Sequence, residues 1–243
     1  TRLFKKKPNC SLIRSINLFN ENKVDAIVSS GNTAALLSSS LMILGKIDKI
    51  RRPALGAFIP TEKGGFVLCD VGANSDNKPI HLLQFSLMAS AYIKYLENIQ
   101  NPKIALLNIG IESNKGNNIS IATYKLLEKY SDNFIGNLES RYLLENKADI
   151  VICDGFTGNI TLKLIEGMMT YNYNLISNKI NLKDDDKIIK LKKVYDYEQV
   201  GATPILGING LVLKSHGAST KTSVYNALKS AKKLSEIDLI NKF

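Results

Sequence analysis

The chain has 243 residues, 44% of them hydrophobic and 22% charged; this suits a globular protein of one large α/β domain, or one domain with a small subdomain. No stretch reaches the ~20 apolar residues of a membrane span, the start "TRLFKKKPNCSLIRS" lacks the apolar core of a secretory signal, and two histidines, His81 and His216, exclude a His-rich metal site. The formal charge of +10 rests on 27 Lys and 5 Arg and reads either as attraction to an acidic partner or as compositional drift in a Lys-, Asn- and Ile-rich chain; no aromatic-basic pattern of a nucleic-acid module accompanies it.

In chain order the pattern predicts helix over 10–22, strand over 24–29 (VDAIVS), helix over 33–45, and strands over 54–59 (ALGAFI) and 65–69 (GFVLC). Helix over 80–98, strand over 103–109 (KIALLNI) and helix over 118–130 follow, then a short strand at Phe134-Ile135. The last third reads as helix 138–146, strand 149–153 (DIVIC), helices 157–180 and 186–194, strand 210–214 (GLVLK) and helix 220–236. The strands are short and almost continuously apolar, as strands covered on both faces are. Their alternation with helices argues for crossover connections and a mostly parallel sheet. Residues 1–243 therefore read as one α/β domain, from which the polar, Lys-rich stretch 171–199 departs as a helical excursion. Cys69 and Cys153 end apolar runs and read as buried free thiols, as a reducing cytoplasm permits.

Five strands end in loops of one chemistry: Ser30-Gly31-Asn32-Thr33, Asp70-Val71-Gly72-Ala73-Asn74, Gly110 to Asn117, Asp154-Gly155-Phe156-Thr157-Gly158-Asn159, and Ser215-His216-Gly217-Ala218-Ser219. In an open parallel sheet such loops gather at the carboxyl edge, where ligands bind. Glycines let the main chain approach a ligand, and Asn, Ser and Thr supply neutral donors. The helices that start next aim free N-H groups at the same crevice, a natural seat for phosphate. For a single loop, ordinary capping and turn formation explain the same residues better; five in register favour a ligand. No loop is a Walker A or a complete G-x-G-x-x-G, so a nucleotide is not indicated. Asn159 and Lys163, four apart, share a helix face; Lys163 serves the crevice or is a solvated cation, and spacing leans to the second. His216, between a strand end and Gly217, is the best general acid-base candidate.

The runs "DAIVSSGNTAALL", "RPALGAFIPT", "LCDVGANSDNKPIHLLQFSLMAS", "ALLNIGIESNKGN", "FIGNLESR", "ADIVICDGFTGNITLKLIEG" and "KSHGAST", in this order, resemble the bacterial phosphate acyltransferase family PlsX of phospholipid synthesis. The resemblance implies a Rossmann-like three-layer α/β/α sandwich, similar to the phosphate acetyltransferase and isopropylmalate dehydrogenase group. It also implies a homodimer that turns long-chain acyl-[acyl-carrier-protein] and inorganic phosphate into acyl phosphate and free carrier protein. Family members are cytoplasmic, contact the membrane peripherally and hand acyl phosphate to a glycerol-3-phosphate acyltransferase. The family's opening strand and its Asp-Ala-Met-Gly-Gly-Asp loop have no counterpart: the chain starts inside the segment resembling "R-x-K-K-x-S-S", at Arg2 to Ser11. The excursion after Lys163 is shorter and more polar than the family's hydrophobic hairpin.

Phosphate carries nucleophilic oxygens at neutral pH, so the enzyme has to hold the anion, place it near a thioester carbon and stabilise the oxyanion. That work needs neither metal nor cofactor. The candidate phosphate-binding residues are Gly31, Asn32, Thr33, Asp70, Gly72, Asn74, Lys78, Asp154, Gly155, Thr157 and Gly158, and the candidate catalytic residues are Asn159, Lys163 and His216. A non-catalytic phosphate- or carrier-binding remnant is the main alternative. A dehydrogenase on the related fold lacks its paired metal-binding aspartates here.

Overall fold

A computed structural model describes residues 7, 9–179 and 201–237. The chain runs α1 (Ser11–Asn20), β1 (Ile27–Ser29), α2 (Thr33–Ile43), β2 (Ala54–Thr61), β3 (Gly64–Cys69), α3 (Pro79–Glu97), β4 (Ile104–Asn108) and α4 (Asn118–Tyr130). It continues through β5 (Phe134–Glu139), a 3-10 turn (Ser140–Glu145), β6 (Ile150–Ile152), α5 (Gly155–Lys179), β7 (Ala202–Leu206), β8 (Val212–Ser215) and α6 (Lys221–Glu236). Of the excursion, residues 171–179 continue α5, while the helix expected over 186–194 lies outside the described residues.

The eight strands form one sheet in the order β1-β8-β7-β2-β3-β6-β4-β5. β1 with β8, β3 with β6, β6 with β4 and β4 with β5 are parallel. β8 with β7, β7 with β2 and β2 with β3 are antiparallel. The cause is local. Only Glu62 and Lys63 join β2 to β3, and a parallel crossover needs a dozen residues or more. Following these pairings across the sheet, β1, β8 and β2 run one way and β7, β3, β6, β4 and β5 the other. The five polar loops therefore do not share one edge. Those after β1 and β8 lie at one end of the sheet, and those after β3, β4 and β6 at the opposite end.

Side chains alternate across the pleat, as along any strand. Val67 and Cys69 of β3 join Phe85, Met88, Ala89 and Ile93 of α3 and Ala227, Ala231 and Leu234 of α6 in one core. Phe66 and Leu68 join Leu55, Ala57 and Ile59 of β2, Ile16 of α1, Leu36 of α2 and Met169 of α5 in the other. Helices thus cover both faces, giving the three-layer α/β/α sandwich. Two elements differ from the sequence expectation. β7 is a strand although Pro204 interrupts its apolar run, and proline normally demotes such a run. The segment 138–146 finishes β5 and makes a 3-10 turn, ending at Asn146 in the left-handed region (φ 57°), rather than forming an α-helix.

Candidate functional site

Asp70 has no solvent exposure, and its carboxylate organises the start of the site. Oδ1 accepts from the N-H groups of Leu55 (2.9 Å) and Ala73 (3.0 Å); Oδ2 accepts from the Asn74 N-H (2.8 Å) and the Asn74 side-chain amide (2.9 Å). Burial pushes the Asp70 carboxyl above the usual range, while the four donors pull it back. Asn74 also donates to the carbonyl of Pro53 (2.8 Å). Both side chains are occupied inside the protein, tying the loop after β3 to the start of β2. Gly155 and Gly158 then let the first turn of α5 lie on this loop, since a Cβ at Gly158 would collide with the Asp70 carbonyl.

On the α1-α2-α5 face, a groove of about 270 Å³ crosses the sheet above β2 and β7. Its floor is apolar, with Leu55, Ala57, Ile59 and Val71; one wall is the Asn159, Leu162, Lys163, Glu166 and Met169 face of α5. Thr33, in the first turn of α2, and Lys214, Ser215 and His216 at the end of β8 complete it. Asn159 stands over Gly72, whose φ of 115° suits glycine alone. One turn further along α5, Lys163 and Glu166 share a depression with His216. The groove thus runs along the strands and joins loops from opposite ends of the sheet.

The sequence candidates fall into three sets. Thr33, Gly72, Asn159, Lys163 and His216 meet in the groove. Asp154 and Thr157 line a separate cleft of about 700 Å³ on the other side of α5. There Asp154 Oδ1 accepts from the Thr157 N-H (2.9 Å), and the Thr157 hydroxyl donates to Oδ2 (2.6 Å), a helix cap. The rest hold local structure. Asn32 caps α2 by accepting from the Ala35 N-H (3.0 Å), and the Gly31 N-H donates to the Ser29 hydroxyl (3.2 Å). Lys78 stands at the N-cap of α3, where its N-H donates to Nδ1 of buried His81 (3.1 Å). His216 is exposed, and its Nδ1 accepts from the Ala218 N-H (3.2 Å).

The family described as "Fatty acid synthesis protein" matches residues 1–242. The chain belongs to that family, the PlsX family. A phosphate acyltransferase of Desulfitobacterium hafniense is 42% identical over 98% of this chain and 74% of its own length. One of Acetivibrio thermocellus is 41% identical over 100% and 74%. Among solved structures, the EutD phosphotransacetylase of Staphylococcus aureus superposes with a TM-score of 0.59 at 13% identity, over 96% of this chain and 67% of that one. A branched-chain phosphotransacylase of Enterococcus faecalis V583 gives 0.57 at 16%, over 92% and 80%. At such identities these two structures report the shared fold.

In this PlsX-family chain two charged residues that the motif reading passed over complete the groove. Glu166 pairs with Lys163 at 2.6 Å, their side chains 23% and 51% exposed. Lys214, part-buried, donates to the carbonyl of Ser215, and burial, with the nearby Lys163 cation second, holds its amine below the ordinary lysine range. A cation with its own desolvation and a like charge beside it is the signature that sequence cannot display: Lys214 reads there as a strand residue and Glu166 as one more helical acid. Among the described residues no helix is long and apolar enough to cross a membrane.

Proposed function

We propose that this phosphate acyltransferase-family chain transfers a long-chain acyl group from the thioester of acyl carrier protein to inorganic phosphate, without metal or cofactor. A phosphate oxygen attacks the thioester carbon, a C-O bond forms, and collapse of the tetrahedral intermediate breaks the C-S bond. Acyl phosphate and a carrier thiolate result, and the thiolate takes up a proton. One observation supports the reading: Asn159, Lys163, His216 and Thr33 of the first turn of α2 line one cationic groove with an apolar floor, in a chain whose relatives are named phosphate acyltransferases.

In this reading the Asn159 amide donates to the developing oxyanion, Lys163 balances phosphate charge and His216 returns a proton to the thiolate. Gly72, which lets the loop approach Asn159, and the N-terminus of α2, capped by Asn32, complete the anion's surroundings. The product passes to a glycerol-3-phosphate acyltransferase for phospholipid synthesis, the protein works as a cytoplasmic homodimer with peripheral membrane contact, and the acidic carrier gives the +10 charge its use.

The test supplies purified protein with acyl carrier thioester and phosphate, then measures released thiol and traps acyl phosphate as hydroxamate. Phosphate-dependent release with stoichiometric hydroxamate is expected. Thiol release that ignores phosphate would mark a thioesterase instead.

A further inference from the structure

We propose that Lys214 and Lys163 together form a two-cation seat for the phosphate dianion, and that Glu166 is a resident counter-anion which phosphate displaces from Lys163. The inference deepens the acyltransferase reading and rests on it for the identity of the anion.

Among the described residues the groove holds two lysines and one glutamate, and their arrangement is unequal. Lys163 is neutralised by Glu166 at 2.6 Å. Lys214 turns its ammonium to a main-chain carbonyl, that of Ser215, which supplies a dipole and no full charge. Both lysines line the same groove, one on α5 and one on β8, above an apolar floor that includes Leu55, Ala57 and Ile59 of β2. Two cations converging on a partly dry surface repel each other, and the cost falls when an anion stands between them. A carboxylate on a single helix turn balances only one of them. A phosphate dianion balances both and accepts hydrogen bonds from each, with the first-turn N-H groups of α2 beside it.

Glu166 then has a role that opposes binding. Left on Lys163, it would face the incoming dianion at close range, a like-charge contact. Its side chain is 23% exposed, so it can turn to water when Lys163 changes partner. The ion pair sets a threshold that the dianion clears more readily than chloride does.

The experiment is amine labelling of the purified 243-residue chain with trinitrobenzenesulfonate, read by peptide mass spectrometry, with inorganic phosphate or with chloride at equal ionic strength. Phosphate is expected to slow labelling of Lys214 and Lys163 together, and chloride to leave both unchanged. Kinetics of Lys214→Met, Lys214→Arg and Glu166→Gln in the thiol-release assay form the second arm. Lys214→Met should lower kcat/KM for phosphate about 10- to 100-fold, the loss of one charge-assisted hydrogen bond, with the KM for carrier thioester unmoved. Lys214→Arg should recover most of that loss. Glu166→Gln should lower the phosphate KM about two- to fivefold. Labelling of Lys214 that ignores phosphate overturns the seat, and this decides the matter even if Lys214→Met does not fold. Protection by phosphate without phosphate-dependent thiol release leaves the seat standing and sinks the acyltransferase reading. A wild-type transferase whose Lys214→Met variant keeps its phosphate KM sinks the seat alone.

Discussion

The first turn of α5 rests on the loop after β3 through Gly158, which lies so close to Asp70 that any Cβ would strike the Asp70 carbonyl oxygen and crowd the Cys153 sulfur. Gly158→Ala should therefore force α5 away from the sheet at a cost of about 1–3 kcal/mol, the range for overpacking a tight contact. Gly167→Ala is the control on the same helix. Nothing lies within 4 Å of a Cβ there, and alanine should stabilise by about 0.5–1 kcal/mol. Urea unfolding of both variants checks the pair; similar behaviour would mean that α5 does not dock through Gly158.

Asp70→Asn should be more damaging than its near-identical shape suggests. The carboxylate accepts from four N-H donors, and an amide nitrogen in place of one oxygen leaves donors facing a donor. Each buried donor without an acceptor costs about 1–3 kcal/mol. Thermal melts should show the loss even where residual activity persists.

His81 gives a pH dependence whose sign follows from its partner. Its Nδ1 accepts the Lys78 N-H, which requires the neutral ring. Burial first, then the cations Arg52, Arg51 and Lys78, hold its pKa below the ordinary 6.5, with Asp76 opposing weakly. The unfolded chain therefore binds the proton more readily than the folded one. Stability is full above about 6.5, the unfolded pKa, and declines as pH falls from there toward the lowered folded value. His81→Gln should flatten this slope in melting temperature against pH; an unchanged slope would place the titration elsewhere.

Asn159→Ala and Lys163→Ala should separate chemistry from folding. Losing a donor to a developing oxyanion lowers rate on the order of 100-fold, whereas Lys163, half exposed and paired with Glu166, should cost under about 0.5 kcal/mol in stability. Steady-state kinetics in phosphate beside thermal melts measure both. Wild-type turnover by Lys163→Ala would return that lysine to the status of a solvated helix residue.

Most strands and helices were legible because apolar runs and cap residues are local. The burial of Cys69 and Cys153 was legible for the same reason. The end of the sheet at which each polar loop lies was not read from the strand pattern. It turns on a two-residue connection between β2 and β3, and that reversal moves two polar loops to the opposite end of the sheet. Residue type also failed to separate Asn159, which faces the groove, from Asn32 and Asn74, whose side chains cap a helix and brace a loop. All three follow strands in polar loops, and only the direction each side chain takes in three dimensions distinguishes them. Glu166 and Lys214 lie inside the runs ADIVICDGFTGNITLKLIEG and KSHGAST but outside the five polar loops, so the pair of lysines became visible only once both lined one groove.

The seam between β7 and β2 consists of two register pairs, Ala54 with Leu206 and Leu55 with Ile205, directly under the groove. It joins the half of the sheet that carries Lys214 and His216 to the half on which α5 and Lys163 rest. Leu55 at this seam also donates to Asp70 and accepts from the Val71 N-H (3.1 Å), so one residue's main chain binds three strands' ends together. The element that carries Lys214 therefore reaches the element that carries Lys163 only by way of β7, β2 and β3. The placement of the charges is thereby fixed by the main-chain pairing of four residues that carry no charge.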